Sequence, residues 1–228
     1  MGSIVNWLKK GSVLAVLVLM VISLLNFSTH VTRRDYYEEG ALTDIRRSLA
    51  EVCGVMISDV ARSSAISRVI RIIDTYNENM SAATKYEVAN EIYEMSLKYD
   101  NLDIDLICAT ITHESALTWR PTVISPVGAR GLMQIMPYVG QVLCREEGLE
   151  WTSTEEILYD PVINIRLGCR YLSSLIDNYH LDGGLAAYNG GEYRAAKWLK
   201  SGRNNKMLAS ETRGYVPAIL KLYDNFRN

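Results

Sequence analysis

Between Lys10 and Arg33 no residue carries a formal charge, His30 being counted neutral. The centre of this run, "VLAVLVLMVISLL" from Val13 to Leu25, is almost purely aliphatic. A soluble fold has no place for such a segment on its surface. As a helix, residues 11–32 are long enough to cross a hydrocarbon core of about 30 Å. A cleaved signal peptide is the alternative, but it needs a small-residue cleavage site after the apolar run. The flank "LLNFSTHVT" has no A-x-A pattern, and no cysteine follows closely enough for lipidation. The expectation is an uncleaved membrane anchor over residues 1–32. Charge barely orients it, since Lys9 and Lys10 on one side face Arg33 and Arg34 on the other.

After a charged spacer, "RRDYYEEG", apolar residues recur at three- and four-residue steps: Leu42, Ile45, Leu49, Val52, Met56 and Val60. That is helical periodicity. The run is too short to establish a coiled coil, and the expectation is a helix that packs on the domain after it. Residues 33–80 therefore form a juxtamembrane helical segment. "NENMSA" ends it.

From Ser81 to the C-terminus every candidate element is a helix: Ala82–Tyr99, Ile104–Leu117, Pro137–Glu147, Pro161–Tyr179, Gly184–Tyr188, Glu192–Leu199 and Thr212–Phe226. Asp103 is placed to cap the second, and Asp160-Pro161 opens the fourth with a cap and a proline at the first helical position. No alternating β-branched run is long enough for a strand. The fold class is all-α, with a domain over residues 81–228. A net charge of −2 and a pI near 6.0 show no basic excess, which argues against a nucleic-acid partner. Cys53, Cys108, Cys144 and Cys169 form no C-x-x-C pair, so neither a metal site nor thioredoxin chemistry has local support. No cofactor motif occurs.

The chemistry-bearing stretch is "ICATITHESALTWRPTVISPVGARGLMQIMP", Ile107 to Pro137. On a helical wheel Ile104, Ile107, Cys108, Ile111 and Ser115 share one face, with Glu114 on its shoulder and His113 opposite. This predicts a surface His113 and a partly buried Glu114. The helix C-terminus disfavours a negative charge there, and so does burial. Both push Glu114 toward the protonated state that a general acid needs. Pro121, Pro126, Gly128 and Gly131 then fix a tightly turning loop, and Gln134 supplies an amide between Met133 and Met136.

"HESALTWRPTVISPVGARGLMQIMP" resembles the E-S…S-P-x-G-A-x-G-L-M-Q-x-M-P signature of the soluble lytic transglycosylases. "LYDPVINIRLGCRYLSSLI", "LAAYNGGEYRAAKW" and "ETRGYVPAILKLY" resemble that family's later segments, in the family's order. The resemblance runs from about Tyr86 to Tyr223, with about two extra residues between Glu-Ser and Ser-Pro. It implies a goose-type lysozyme-like helical domain that cleaves the β-1,4 bond between N-acetylmuramic acid and N-acetylglucosamine in peptidoglycan. It makes Glu114 the single catalytic acid/base and Tyr188 the tyrosine whose hydroxyl reaches toward it. Ser125, Gln134, Met136, Asn189, Glu211 and Tyr215 become cleft positions that bind the glycan strand. It further implies a catalytic domain outside the cytoplasmic membrane, where some cell-envelope protein could be a partner. In such an oxidising compartment Cys144 and Cys169 are candidates for a disulfide.

Overall fold

The structure, a computed structural model, describes residues 16–23 and 36–228. Most of the expected anchor lies outside the described residues. Among the described residues no helix is long and apolar enough to cross a membrane. The chain divides into two compact units, Met1–Met56 and Ile57–Asn228.

Eight helices run from Tyr36 to the C-terminus: α1 (Tyr36–Tyr76), α2 (Ala82–Lys98), α3 (Ile104–Glu114), α4 (Pro137–Glu146), α5 (Thr154–Leu158), α6 (Pro161–Gly190), α7 (Glu192–Lys200) and α8 (Ser210–Arg227). A 3₁₀ turn, Asn205–Met207, precedes α8. The only β pairings among the described residues are isolated bridges, Ile124 with Arg130 and Arg130 with Ile135. The all-α expectation is met.

The helix starts follow from local chemistry. The Asp103 side chain accepts from Leu106 N at 2.8 Å and Asp160 from Ile163 N at 2.8 Å, each satisfying an orphan amide of a first turn. In α1 the apolar positions Ile45, Leu49, Val52, Met56 and Val60 are exposed, contrary to the packed helix expected there. The residues of α1 that join the core come later: Ile66, Val69 and Ile73. The compact unit thus begins well before Ser81.

Helix α3 is the centre of the domain. Leu106 through Thr112 are buried without interruption. A helix that is apolar all round is a core helix with no solvent face. Its two threonines satisfy their hydroxyls internally, Thr110 to Leu106 O at 2.9 Å and Thr112 to Cys108 O at 2.7 Å. Helix α8 packs on both α3 and α6, and α6 also packs on α2 and α7. Helix α6 contains a break at His180 (φ 60°, ψ 177°), where the sequence predicted two helices.

No disulfide forms. Cys144 and Cys169 are both free and buried, and Cys169 Sγ lies 3.9 Å from Met133 Sδ in the core. Burial raises the pKa of both thiols, which keeps them protonated.

Candidate active site

Glu114 is the last residue of α3. The chain turns away at once: Ala116, Leu117 and Trp119 all have left-handed backbone, with φ of 53°, 62° and 47°. Three such non-glycine residues in one turn are costly and need support from their surroundings. Fully buried Trp119 supplies it. Its indole N–H donates to Thr112 Oγ1 at 2.9 Å, its amide to Ser115 Oγ at 3.0 Å, and its carbonyl accepts from Asn77 at 3.1 Å. The predicted extension of this helix to Leu117 is prevented by that turn. The result is a carboxylate fixed at a helix end.

Burial pushes the Glu114 carboxyl up from 4.5 to about 7. The Tyr215 hydroxyl, which donates to Oε1 at 2.5 Å, pulls it back down, and the negative charge of Glu211 pushes it up again. Tyr215 is itself buried on α8, and its own pKa lies well above the ordinary range because of burial and the charge of Glu114. It therefore stays a donor. The acid is half protonated near neutrality, the state from which one group can both give and take a proton.

The resemblance implied that the Tyr188 hydroxyl reaches toward Glu114; in the structure the hydroxyl that bonds Glu114 is that of Tyr215. The Tyr188 hydroxyl donates to the Met133 carbonyl at 2.8 Å instead. It is still close enough to Glu114 for the carboxylate's charge to raise its pKa, burial being the larger cause. His113 also departs from expectation. It is half-buried, and its ring meets Tyr215 edge-on with centroids 4.8 Å apart. The wheel assumed a solvent face that α3 does not have. Burial lowers the His113 pKa, partly opposed by Glu211, so the ring beside Tyr215 is neutral near pH 7.

The loop from Val123 to Met136 is tied to the site through Tyr188, whose hydroxyl bonds the Met133 carbonyl. Ser125 Oγ accepts from Ala129 N at 2.9 Å and closes a tight turn. Gln134, in left-handed backbone (φ 48°), donates through Nε2 to Gly131 O at 2.8 Å and Val123 O at 3.2 Å. No bond among the described residues engages its Oε1, which leaves an acceptor for a ligand. Met136 is half-buried at the N-cap of α4.

One residue that sequence reasoning missed holds this loop down. Asn164, fully buried on α6, accepts from Met133 N at 2.8 Å and donates to Arg130 O at 3.0 Å and Leu158 O at 2.9 Å. Gly131 makes the approach possible: a Cβ there would lie 2.2 Å from Asn164 Nδ2 and 2.3 Å from Leu158 O. The sequence signal for Asn164 was an amide inside the otherwise apolar start of a helix, "VINIRLG".

Asn189 and Glu211 stand together near the acid, the charge of Glu211 being felt by Glu114. Asn189 accepts from Thr212 Oγ1 at 2.7 Å and its amide nitrogen stands 3.4 Å from Glu211 Oε1, which is exposed. No cluster of His, Cys, Asp or Glu among the described residues could hold a metal ion. The site thus gathers one half-buried acid with its tyrosine partner and an exposed carboxylate whose charge reaches it, and the loop bonded by Tyr188 carries one free amide oxygen.

The chain belongs to the Transglycosylase SLT domain family, which matches residues 91–209. It is 33% identical over 147 residues to the soluble lytic murein transglycosylase of Escherichia coli K12, covering 60% of this chain and 22% of that protein. It is 32% identical over 130 residues to membrane-bound lytic murein transglycosylase C of Salmonella paratyphi B, covering 52% of this chain and 34% of the relative. Among solved structures it is similar to an inactive Glu-to-Gln mutant of lytic transglycosylase Slt from Pseudomonas aeruginosa. The TM-score is 0.53 at 30% identity, with 60% of this chain and 23% of that one covered. The chain therefore spans about a fifth to a third of the length of these relatives.

Proposed function

We propose that this chain is a peptidoglycan lytic transglycosylase. The observation that carries the reading is Glu114 at the end of α3, a carboxyl that burial pushes up to about 7 and that the Tyr215 hydroxyl bonds at 2.5 Å and keeps from rising further. Family membership and the names of the relatives support the same substrate. Ordinary glycoside hydrolysis uses two carboxylates. No Asp or Glu lies between Glu114 and Glu146, and Asp103 and Asp105 sit at the opposite end of α3. The other carboxylate near Glu114, Glu211, is exposed beside Asn189, so Glu114 is the one shielded acid and the substrate supplies the rest.

Protonated Glu114 donates to the glycosidic oxygen between N-acetylmuramic acid and N-acetylglucosamine, and that bond breaks. The 2-acetamido carbonyl stabilises the cation developing at the anomeric carbon. Glu114, now a carboxylate, takes the proton from the muramic 6-hydroxyl, whose oxygen closes on its own anomeric carbon. The products are a 1,6-anhydro ring and a free N-acetylglucosamine 4-hydroxyl. The nucleophile is tethered in the reacting ring, so effective molarity stands in for an activated water. Tyr215 holds Glu114 in place and Tyr188 holds the loop carbonyl of Met133. Gln134 Oε1, Ser125, Met136, Asn189 and Glu211 receive the strand.

The substrate lies outside the cytoplasm. A span at residues 11–32 would place residues 81–228 on the wall side of the cytoplasmic membrane, N-terminus in, and the membrane-bound relative supports an anchored form. The test is to digest purified peptidoglycan and weigh the released sugars. Anhydro ends are expected. Dominant reducing ends, heavier by one water, would make the protein a hydrolase and turn attention to Glu211 as its base. Binding without cleavage would make it a wall-anchoring module.

A further inference from the structure

Helices α3 and α8 pack antiparallel and are tied at both ends. At one end Tyr215 bonds Glu114 and meets the His113 ring. At the other the Tyr223 hydroxyl donates to Asp103, the N-cap of α3. Arg68 enters this far end from the part of α1 that joins the core through Ile66 and Val69. Its Nη2 donates to Asp105 Oδ1 in the first turn of α3, and at 2.7 Å to Phe226 O in the last turn of α8. We propose that Arg68 is a positioning residue for the acid: it fixes the seating of α8 on α3 and so holds the Tyr215 hydroxyl on Glu114. The proposal rests on the reading of Glu114 as the catalytic acid.

Helix-end chemistry explains why an arginine suits this junction. The last carbonyls of a helix have no partner within it, and that end attracts a cation. The first turn of a helix favours an acid. Antiparallel packing brings the C-terminal end of α8 beside the N-terminal end of α3, and one guanidinium serves both.

The pair is partly shielded from water, with 14% of the Asp105 side chain exposed and 36% of Arg68. Burial raises the Asp105 pKa, the charge and bond of Arg68 oppose the rise, and the charge of Asp103 adds to it. Arg227 also acts on Asp105, but its guanidinium lies over the Tyr223 ring of its own helix. Removing Arg68 leaves two neighbouring carboxyls on α3 and strips the Phe226 carbonyl of its donor. The far ends of the two helices then lose the group that bridges them.

A helix is stiff along its axis, so seating set at one end is delivered to the other. From Asp105 to Glu114 is about 14 Å of helix, and from Tyr215 to Phe226 about 16 Å. Helix α8 runs unbroken through Pro217 between those two residues. The Tyr215 bond is short, and a slip of about 1 Å of α8 along α3 would stretch or misalign it. Direct charge is a poor alternative route. The influences on Glu114 are burial, Tyr215 and Glu211, and the far end of α3 lies beyond a Debye length of about 10 Å.

The experiment measures the Glu114 pKa directly, by carbon NMR of the full-length chain in detergent with labelled glutamate carboxyls, Glu114→Gln identifying the resonance. The titratable groups around the acid, His113 on α3, Tyr188 on α6, and Tyr215 and Glu211 on α8, stay in place throughout. Arg68→Ala should raise the Glu114 pKa by about 0.5–1 unit, part of what outright loss of the Tyr215 hydroxyl gives. In the Tyr215→Phe background the same substitution should add nothing, since both act through one bond. Asp105→Asn, which cuts the bridge on the α3 side, should also raise it, whereas removal of a negative charge acting through space would lower it. A Glu114 pKa that neither Arg68→Ala nor Asp105→Asn moves overturns the proposal and leaves Arg68 a structural tie. So does a rise of equal size with and without the Tyr215 hydroxyl, or a fall with Asp105→Asn. Should Arg68→Ala not fold, Asp105→Asn decides alone, in both backgrounds. None of these readouts needs turnover, so the enzyme reading fails separately, if wild type releases no anhydro sugars from peptidoglycan.

Discussion

Tyr215→Phe separates the two things that the tyrosine does for the acid. The hydroxyl donates to Glu114 Oε1 at 2.5 Å and so stabilises the carboxylate, against burial, which disfavours it. A hydrogen bond to a charged group contributes about 1.5–3 kcal/mol. Deleting it should raise the Glu114 pKa from about 7 by about 1–2 units, at 1.36 kcal/mol per unit. The first chemical step needs the protonated form, so kcat/KM for peptidoglycan solubilisation falls as pH rises through the free-enzyme pKa. In the variant that basic limb should move to higher pH. The plateau should drop by about tenfold, because the carboxyl has lost the group that orients it. The neighbouring titratable groups do not confuse the reading. Tyr188 stays protonated throughout, and His113 is already neutral near pH 7. Glu211 acts on Glu114 only through its charge, which the substitution leaves in place. A limb that stays put, or moves to lower pH, would refute the assignment of Tyr215 as the donor that sets the acid's pKa.

Glu114→Gln should abolish cleavage, a loss of at least about 10²–10⁴-fold. The same variant should be more stable than wild type at pH 8, by about 1–3 kcal/mol in urea unfolding, and equal to it near pH 4. A carboxyl with a raised folded pKa contributes its full stability below the unfolded value of 4.5 and loses it as pH rises through about 7. Asn164→Ala should cost about 2–5 kcal/mol and speed amide exchange in the loop from Val123 to Met136, since it orphans Met133 N, Arg130 O and Leu158 O together. Gly131→Ala should lower both stability and activity, since φ there is 82° and Asn164 fills the space that a Cβ would take; an unchanged melting temperature would contradict this. Tyr188→Phe should slow cleavage modestly without moving the pH limb, which distinguishes it from Tyr215→Phe.

What was legible in the sequence was local. The caps at Asp103 and Asp160, the helix ends forced by glycine and proline, and the acid at the end of α3 all depend on neighbours within a few residues. What was not legible depends on packing between helices. His113 was put on a solvent face because apolar periodicity over Ile104–Ser115 reads as amphipathic, yet Thr110 and Thr112 bury as readily as their neighbours once each hydroxyl bonds the carbonyl one turn back. Asn164 looks like one amide among aliphatics until the loop that it holds is folded over it. The proposed Cys144–Cys169 pair failed for the same reason, since Cys169 faces Met133 of that loop.

The choice between Tyr188 and Tyr215 shows how the acid is controlled. Tyr188 belongs to α6, and its hydroxyl is committed to the loop at Met133. Tyr215 belongs to α8, beyond the family match at residues 91–209. Helix α3 therefore brings Glu114, while α8 supplies the bond that stops burial from raising its pKa further. Burial alone would hold the group too firmly protonated to act as a base in the second step. The Tyr215 bond alone, in water, would leave it too acidic to donate in the first. Their opposition sets the carboxyl at about 7, where one residue can serve both steps. The packing of α8 on α3 is therefore part of the acid's chemistry as well as of the fold.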